Sequence, residues 1–213
     1  MQSTSLNKTP DLAAVHVAGL TRNSLILRGA LAAGAVYGAS AVGPFVRGAF
    51  AQEDLTAPDV EVVNFALTLE ILEATFYEEA LKRAGLSGDV RTLTEEIASN
   101  ENEHVSVLTR TVTDLGGKPV DNLKLDFGDA FSSESSYLDL AQTFEDTGVS
   151  AYNGAAPLIQ DPAILSAAGT IVQVEGRHAA LIRAQRGEDI APSPFDETMT
   201  MAQVLDAVDP FIV

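Results

Sequence analysis

Four glutamates, two histidines and two tyrosines recur in one order along the chain: Glu70 and Tyr77, Glu101 and His104, Glu145 and Tyr152, Glu175 and His178. Their spacings read E-x6-Y, E-x2-H, E-x6-Y, E-x2-H. The second half repeats the first at an offset of 75 residues for the Glu–Tyr pairs and 74 for the Glu–His pairs, and Ile97 and Leu108 map onto Ile171 and Ile182 in the same register. Three residues turn an α-helix by about 300° and seven by about 700°, so each pair shares a helix face, one or two turns apart. Four carboxylates and two imidazoles gathered at one level form a donor set for two divalent first-row metals. Hard oxygen suits iron or manganese, and imidazole adds a borderline donor that zinc also accepts. The four negative charges offset the four positive charges of such a pair, which makes the set tolerable in a core. A given histidine has a glutamate three residues before it by chance about 7% of the time. Both histidines of residues 52–213 have one, so a metal pair explains the pattern better than solvated surface charge does.

Helices must carry these pairs, and the apolar spacing supplies them. Val62, Val63, Ala66, Leu69, Ala74, Tyr77 and Leu81 predict a helix over 59–84, with Gly85 as its C-cap and a loop over 86–88. Asp89 is the expected N-cap of a second helix, 90–115, through Leu93, Ile97, Val105, Leu108 and Val112, ended by Gly116, Gly117 and Pro119. Residues 117–132 lack helical period and read as a long connection. Ser133, Ser135 or Ser136 caps a third helix through Leu140, Phe144, Val149 and Tyr152 to Leu158. Asp161 and Pro162 fit the N-cap and first position of a fourth, which runs to Arg186 before Gly187. Residues 187–197 read as loop and 198–208 as a short fifth helix. The expected fold class is all-α: a four-helix bundle with one long crossover and a short C-terminal helix. No segment has a competing strand period.

Residues 64–77, NFALTLEILEATFY, and 100–104, NENEH, resemble the ferritin-like superfamily, most of all its exported ferritin-like domain proteins of the desiccation-related type. The resemblance covers most of residues 59–186. It implies a bacterioferritin-like diiron ligand pattern: Glu70 and Glu145 as terminal carboxylates, Glu101 and Glu175 as bridging carboxylates, His104 and His178 as nitrogen ligands. It also implies that Tyr77 and Tyr152 hydrogen-bond ligand carboxylates across the bundle. Some positions depart from relatives. Gly148 stands where rubrerythrins carry an additional carboxylate, and the chain has no Cys for a rubredoxin centre. Asn102 stands where bacterioferritin supplies its haem-ligating methionine, so no haem is expected. Glu73, one turn from Glu70, is open to two readings, an added ligand or iron-path residue and a solvated helix face; the solvated face is the expectation. Glu103 is similarly ambiguous, and Glu78, Glu79, Glu95 and Glu96 read as surface.

Composition narrows the function classes. The 213 residues include 13 Lys+Arg, 30 Asp+Glu, three His and no Cys, for a net charge of −17. No disulfide framework, thiolate metal site or cysteine nucleophile is available, and the charge disfavours nucleic acid and anionic lipid as partners. No Trp and 6% aromatics disfavour a base- or sugar-stacking platform. The charge is also uneven: residues 1–51 sum to +3 and residues 52–213 to −20. An uncharged run over 29–46, the small residues before Ala51 and the Tat-like stretch TRNSLILR at 21–28 predict an export leader over 1–51, cleaved after Ala51. Asn23 replaces the second arginine of a twin-arginine motif, and an uncleaved N-terminal anchor is the alternative. His16 lies in this leader and is assigned nothing. On either reading the working domain, 52–213, lies outside the cytoplasm, in the periplasm or extracellular.

The leading functional expectation is an exported protein that binds two metal ions, iron foremost and manganese or zinc otherwise. It would act on O2 or peroxide as a ferroxidase or in peroxide removal, in stress or iron homeostasis. Alternatives are a stress-protective bundle that metal stiffens without turnover, and an iron-storage cage. A homodimer is one assembly compatible with the sequence, which does not itself set the oligomeric state.

Overall fold

The computed structural model describes residues 58–213; the expected leader, its Tat-like stretch, its cleavage site and the domain start at 52 lie outside the described residues. Four long helices form the bundle: α1 (Asp59–Arg83), α2 (Gly88–Asp114), α3 (Glu134–Ala155) and α4 (Pro162–Arg186), followed by the short α5 (Met201–Val208). No β-strand occurs among the described residues, so the all-α expectation stands. α1 packs chiefly on α2 and α3 on α4, the two pairs meet through α1 with α3 and α2 with α4, and α5 lies against α3.

Local signals set most boundaries. Asp161 accepts from Ala163 N at 2.7 Å with Pro162 opening α4, and Gly187 closes it in the left-handed region at φ 71°. Ser133 caps α3, accepting from Ser136 N at 3.0 Å. Two caps differ from expectation. Asp89 lies inside the first turn of α2, because Gly88 already begins the helix after Ser87; its carboxylate there favours the positive end of the helix dipole. α5 starts at Met201 rather than near residue 198, because Thr200 and Gln203 form a reciprocal capping box. The third helix yields to a 3-10 turn at Ala156–Leu158, where Pro157 ends the α-helical ladder.

Two apolar clusters fill the interior. One centres on Phe76, whose ring lies 5.0 to 5.5 Å from those of Tyr77, Phe127, Phe131, Tyr137 and Phe144. The other contains Val63, Leu67, Leu108, Val112, Tyr152 and Ile171. The crossover between α2 and α3 contributes buried Phe127 and Phe131 to the first cluster. It is stitched to the C-terminal residues by Asp126 N to Phe211 O and Val213 N to Lys124 O, both 2.9 Å. On α2 and α4 the chain passes from one apolar cluster to the other across Glu101 and Glu175, while on α1 the second cluster lies only before Glu70; the carboxylates thus occupy a polar layer where the two clusters meet.

Candidate metal centre

All six side chains of the sequence pattern meet in that layer. Glu70, Glu101, Glu145 and Glu175 are each 0% exposed and His178 is 3% exposed, while His104 is partly buried. They form two overlapping groups of donor atoms, Glu70, Glu101, His104 and Glu175 in one, Glu101, Glu145, Glu175 and His178 in the other, each within 4.8 Å. Glu101 and Glu175 belong to both. Their oxygens divide between the groups: Glu101 Oε2 is 3.1 Å from His104 Nδ1 and Glu101 Oε1 is 2.9 Å from His178 Nδ1. Glu175 Oε1 is 3.1 Å from His104 Nδ1 and Glu175 Oε2 is 3.8 Å from His178 Nδ1.

This geometry fits cations better than hydrogen bonds. His104 Nδ1 has oxygens of Glu70, Glu101 and Glu175 all at 3.1 Å, yet one ring nitrogen carries at most one proton. Glu101 Oε1, Glu145 Oε2, both oxygens of Glu175 and His178 Nδ1 are buried without a hydrogen-bond partner. Unpaired buried polar atoms cost about 1–3 kcal/mol each, more when charged, so such a concentration calls for ions between them. The buried Glu/His groups can therefore bind metal.

The tyrosines brace the outer carboxylates across the bundle. Tyr152 on α3 donates to Glu70 Oε1 on α1 at 2.5 Å, and Tyr77 on α1 donates to Glu145 Oε1 on α3. Burial, then the partner carboxylate, pushes both phenols well above the usual tyrosine range, so they stay protonated and donate. A third support, Asn100, carried no role in the sequence reading. Its side-chain amide meets His178 Nε2 at 3.1 Å. The contacting atom is the amide nitrogen Nδ2, which can only donate, and it steadies the ring on the side away from Nδ1 and the carboxylates.

Without cations, protons compensate the cluster. Burial raises the pKa of Glu70 well above the carboxylate range, and the Glu175 charge adds to it. Burial likewise raises Glu145 to about 8, against the opposing pull of the His178 imidazole. Burial would raise Glu101 too, but the His104 and His178 imidazoles beside it hold it at about 2. The imidazoles, which burial alone would push down, are raised to about 12 by Glu101 and the other carboxylates around them.

Glu73 corrects the expectation of a solvated face. It is 3% exposed and points into the bundle, where burial first and Glu175 second raise its pKa well above the usual range. Its spacing from Glu70 is the three residues of E-x2-H, so the signal was in the sequence. Glu103, Glu78, Glu95 and Glu96 are exposed and Glu79 is partly exposed. Asn102 is exposed on α2 and donates to Glu78 Oε1 at 3.2 Å.

An apolar cavity of about 230 Å³ lies one helical turn beyond the cluster, walled by Ala66, Val107, Leu108, Tyr152 and Ile171 among others. Ala66, Leu108 and Ile171 each sit four residues from a donor, Glu70, His104 and Glu175 respectively.

No curated protein matches the chain. The family model of the ferritin-like domain matches residues 58–188, which takes in all four long helices and every residue of the cluster. By that match, and by an all-helical bundle with a buried Glu/His layer, the chain belongs to the ferritin-like domain family.

Proposed function

We propose that this protein holds two metal ions, iron foremost, in the Glu/His layer and uses them with O2 or peroxide, as a ferroxidase or in peroxide removal. The observation that carries this reading is the set of unpaired buried atoms of Glu101, Glu145, Glu175 and His178, aimed at one another from three helices. Bound iron would supply two electrons together to an oxidant. In this reading Glu70 and Glu145 are terminal ligands, Glu101 and Glu175 span the two positions, and His104 and His178 bind through Nδ1. Tyr152 and Tyr77 hold the terminal carboxylates in place, and the apolar clusters on either side keep water out. Protons now shared among the carboxylates and imidazoles leave as cations enter. The −20 charge of residues 52–213 favours attraction of cations. The basic leader supports a site of action outside the cytoplasm, and the matched stretches support kinship with the desiccation-related type.

The test is elemental analysis of protein purified from its native compartment, paired with Fe(II) oxidation under O2 and under peroxide. Two ions per chain and oxidation faster than in buffer are expected. Bound metal that raises thermal stability without any oxidation would replace this reading with a metal-stiffened protective bundle. A purified protein that takes up no metal would end both.

A further inference from the structure

Glu73 is a buried carboxylate of this layer that belongs to neither donor group. It is 3% exposed, and among the described residues no hydrogen bond or ion pair engages it. Its carboxylate leans from α1 onto α3. A Cβ placed on Gly148 would lie 3.2 Å from Glu73 Oε1, 3.7 Å from Glu73 Oε2 and 3.8 Å from Glu175 Oε2. Gly148 thus leaves a gap bordered by two carboxylates with no donor between them. Carboxylates so placed repel unless a proton or a cation stands between them.

The internal repeat gives this gap a meaning. At the offset of 75 residues that relates Glu70 to Glu145 and Tyr77 to Tyr152, Glu73 corresponds to Gly148. One copy of the duplicated unit carries a carboxylate, the other carries no side chain, and the carboxylate fills the room that the missing one leaves. The six donors obey the repeat, and Glu73 breaks it on a definite side. The Glu175 oxygen nearest the gap is Oε2, which faces His178, whereas Oε1 faces His104.

We propose that Glu73 is a seventh metal donor, serving the position of Glu145 and His178 and not that of Glu70 and His104, so that the two metal positions differ in affinity. This rests on the metal-binding reading above. The His178 position then has Glu73 beside Glu101, Glu145, Glu175 and His178, against four donors on the other side. An extra hard, anionic oxygen favours hard cations, so the His178 position fills first.

The test uses the full-length protein, stripped by chelation and titrated with Mn(II) by calorimetry. Wild type is expected to bind two ions in steps at least about tenfold apart in Kd. Glu73→Gln keeps two ions but weakens the first step about tenfold or more, so that the steps merge. Gly148→Ala, whose added methyl would sit 3.2 Å from Glu73 Oε1, displaces the carboxylate and weakens the same step, which covers the case in which Glu73→Gln folds poorly. In Mn(II)-soaked crystals a Glu73 oxygen is expected at about 2.0–2.3 Å from the ion beside His178. The double substitution Glu73→Gly with Gly148→Glu is expected to make the His104 position the tighter one. Wild type that binds no Mn(II) would defeat the underlying metal reading. Two ions in wild type with an unchanged first step in folded Glu73→Gln and Gly148→Ala would overturn the role of Glu73 and leave that reading standing.

Discussion

Tyr152 on α3 donates its hydroxyl proton to Glu70 on α1 at 2.5 Å, and Tyr77 returns the same bond from α1 to Glu145 on α3. The bundle is therefore cross-braced at the level where its charges are buried. Tyr152→Phe is expected to leave the fold intact, free Glu70 to rotate, and lower metal affinity by about 10–100-fold, the usual cost of losing a partner behind a ligand. Tyr77→Phe should do the same at Glu145. Metal titration checks both, with circular dichroism to show that helix content is unchanged.

Glu101 and Glu175 each face both histidines, so removing either disturbs both metal positions at once. Glu101→Ala and Glu175→Ala are each expected to lower occupancy below two ions per chain. Elemental analysis after dialysis decides, and full occupancy in both variants would refute the bridging assignment.

Asn100 Nδ2 lies 3.1 Å from His178 Nε2 and holds the ring from the side away from Nδ1. Asn100→Val removes that partner while leaving all ligands in place. Affinity at the His178 position should fall about 10–100-fold, with the other position little changed. Stepwise Mn(II) binding read by electron spin resonance separates the two.

The metal-free protein should lose stability as pH rises. Glu145 titrates near 8 when folded against an ordinary value of 4.5, and Glu70 and Glu73 are raised as well. His104 and His178 are raised from 6.5 to about 12. Every raised group contributes stability that is complete below its unfolded pKa and is lost as pH climbs toward its folded pKa. For Glu145 the window is about pH 4.5 to 8, and for the histidines about 6.5 to 12. Glu101, lowered to about 2, has the opposite sign and acts only as pH falls below 4.5. Thermal unfolding after chelation should therefore show a lower Tm at pH 8 than at pH 5.5. Added metal replaces the protons and should flatten the slope; a metal-free Tm that rises over this range would contradict the proton-compensated layer.

Phe76 tests the scaffold apart from its charges. It is fully buried among five aromatic rings, and Phe76→Ala should cost about 3–5 kcal/mol in urea unfolding of the metal-free protein.

Much of this arrangement could be read before any coordinates. The E-x2-H and E-x6-Y pairs obey helix periodicity, which is local, so all eight side chains fall on the inward faces where spacing puts them. The α4 boundaries follow equally from local chemistry at Asp161, Pro162 and Gly187. What escaped was non-local. Glu73 has the right spacing, but whether it meets water or core depends on what faces it across the bundle, and that is Gly148, 75 residues away. Asn100 is exposed on α2, one residue before a ligand, and meets the ring only because α4 brings His178 beside it. The start of α2 is not fixed by residue type, because Ser87 and Asp89 both suit an N-cap; the backbone decides it, with Arg91 N donating to Ser87 O while Gly88 takes the left-handed region at φ 56°.

The cavity beside Tyr152 has walls of aliphatic carbon with scarcely a donor or acceptor, and under the proposed function it would be the space an oxidant meets first. Dioxygen, being nonpolar, dissolves in such a space more readily than in water, whereas hydrogen peroxide would forfeit its hydrogen bonds to enter. If the proposed oxidation takes place, an antechamber of this kind would sort the two molecules by polarity, one turn from Glu70, His104 and Glu175.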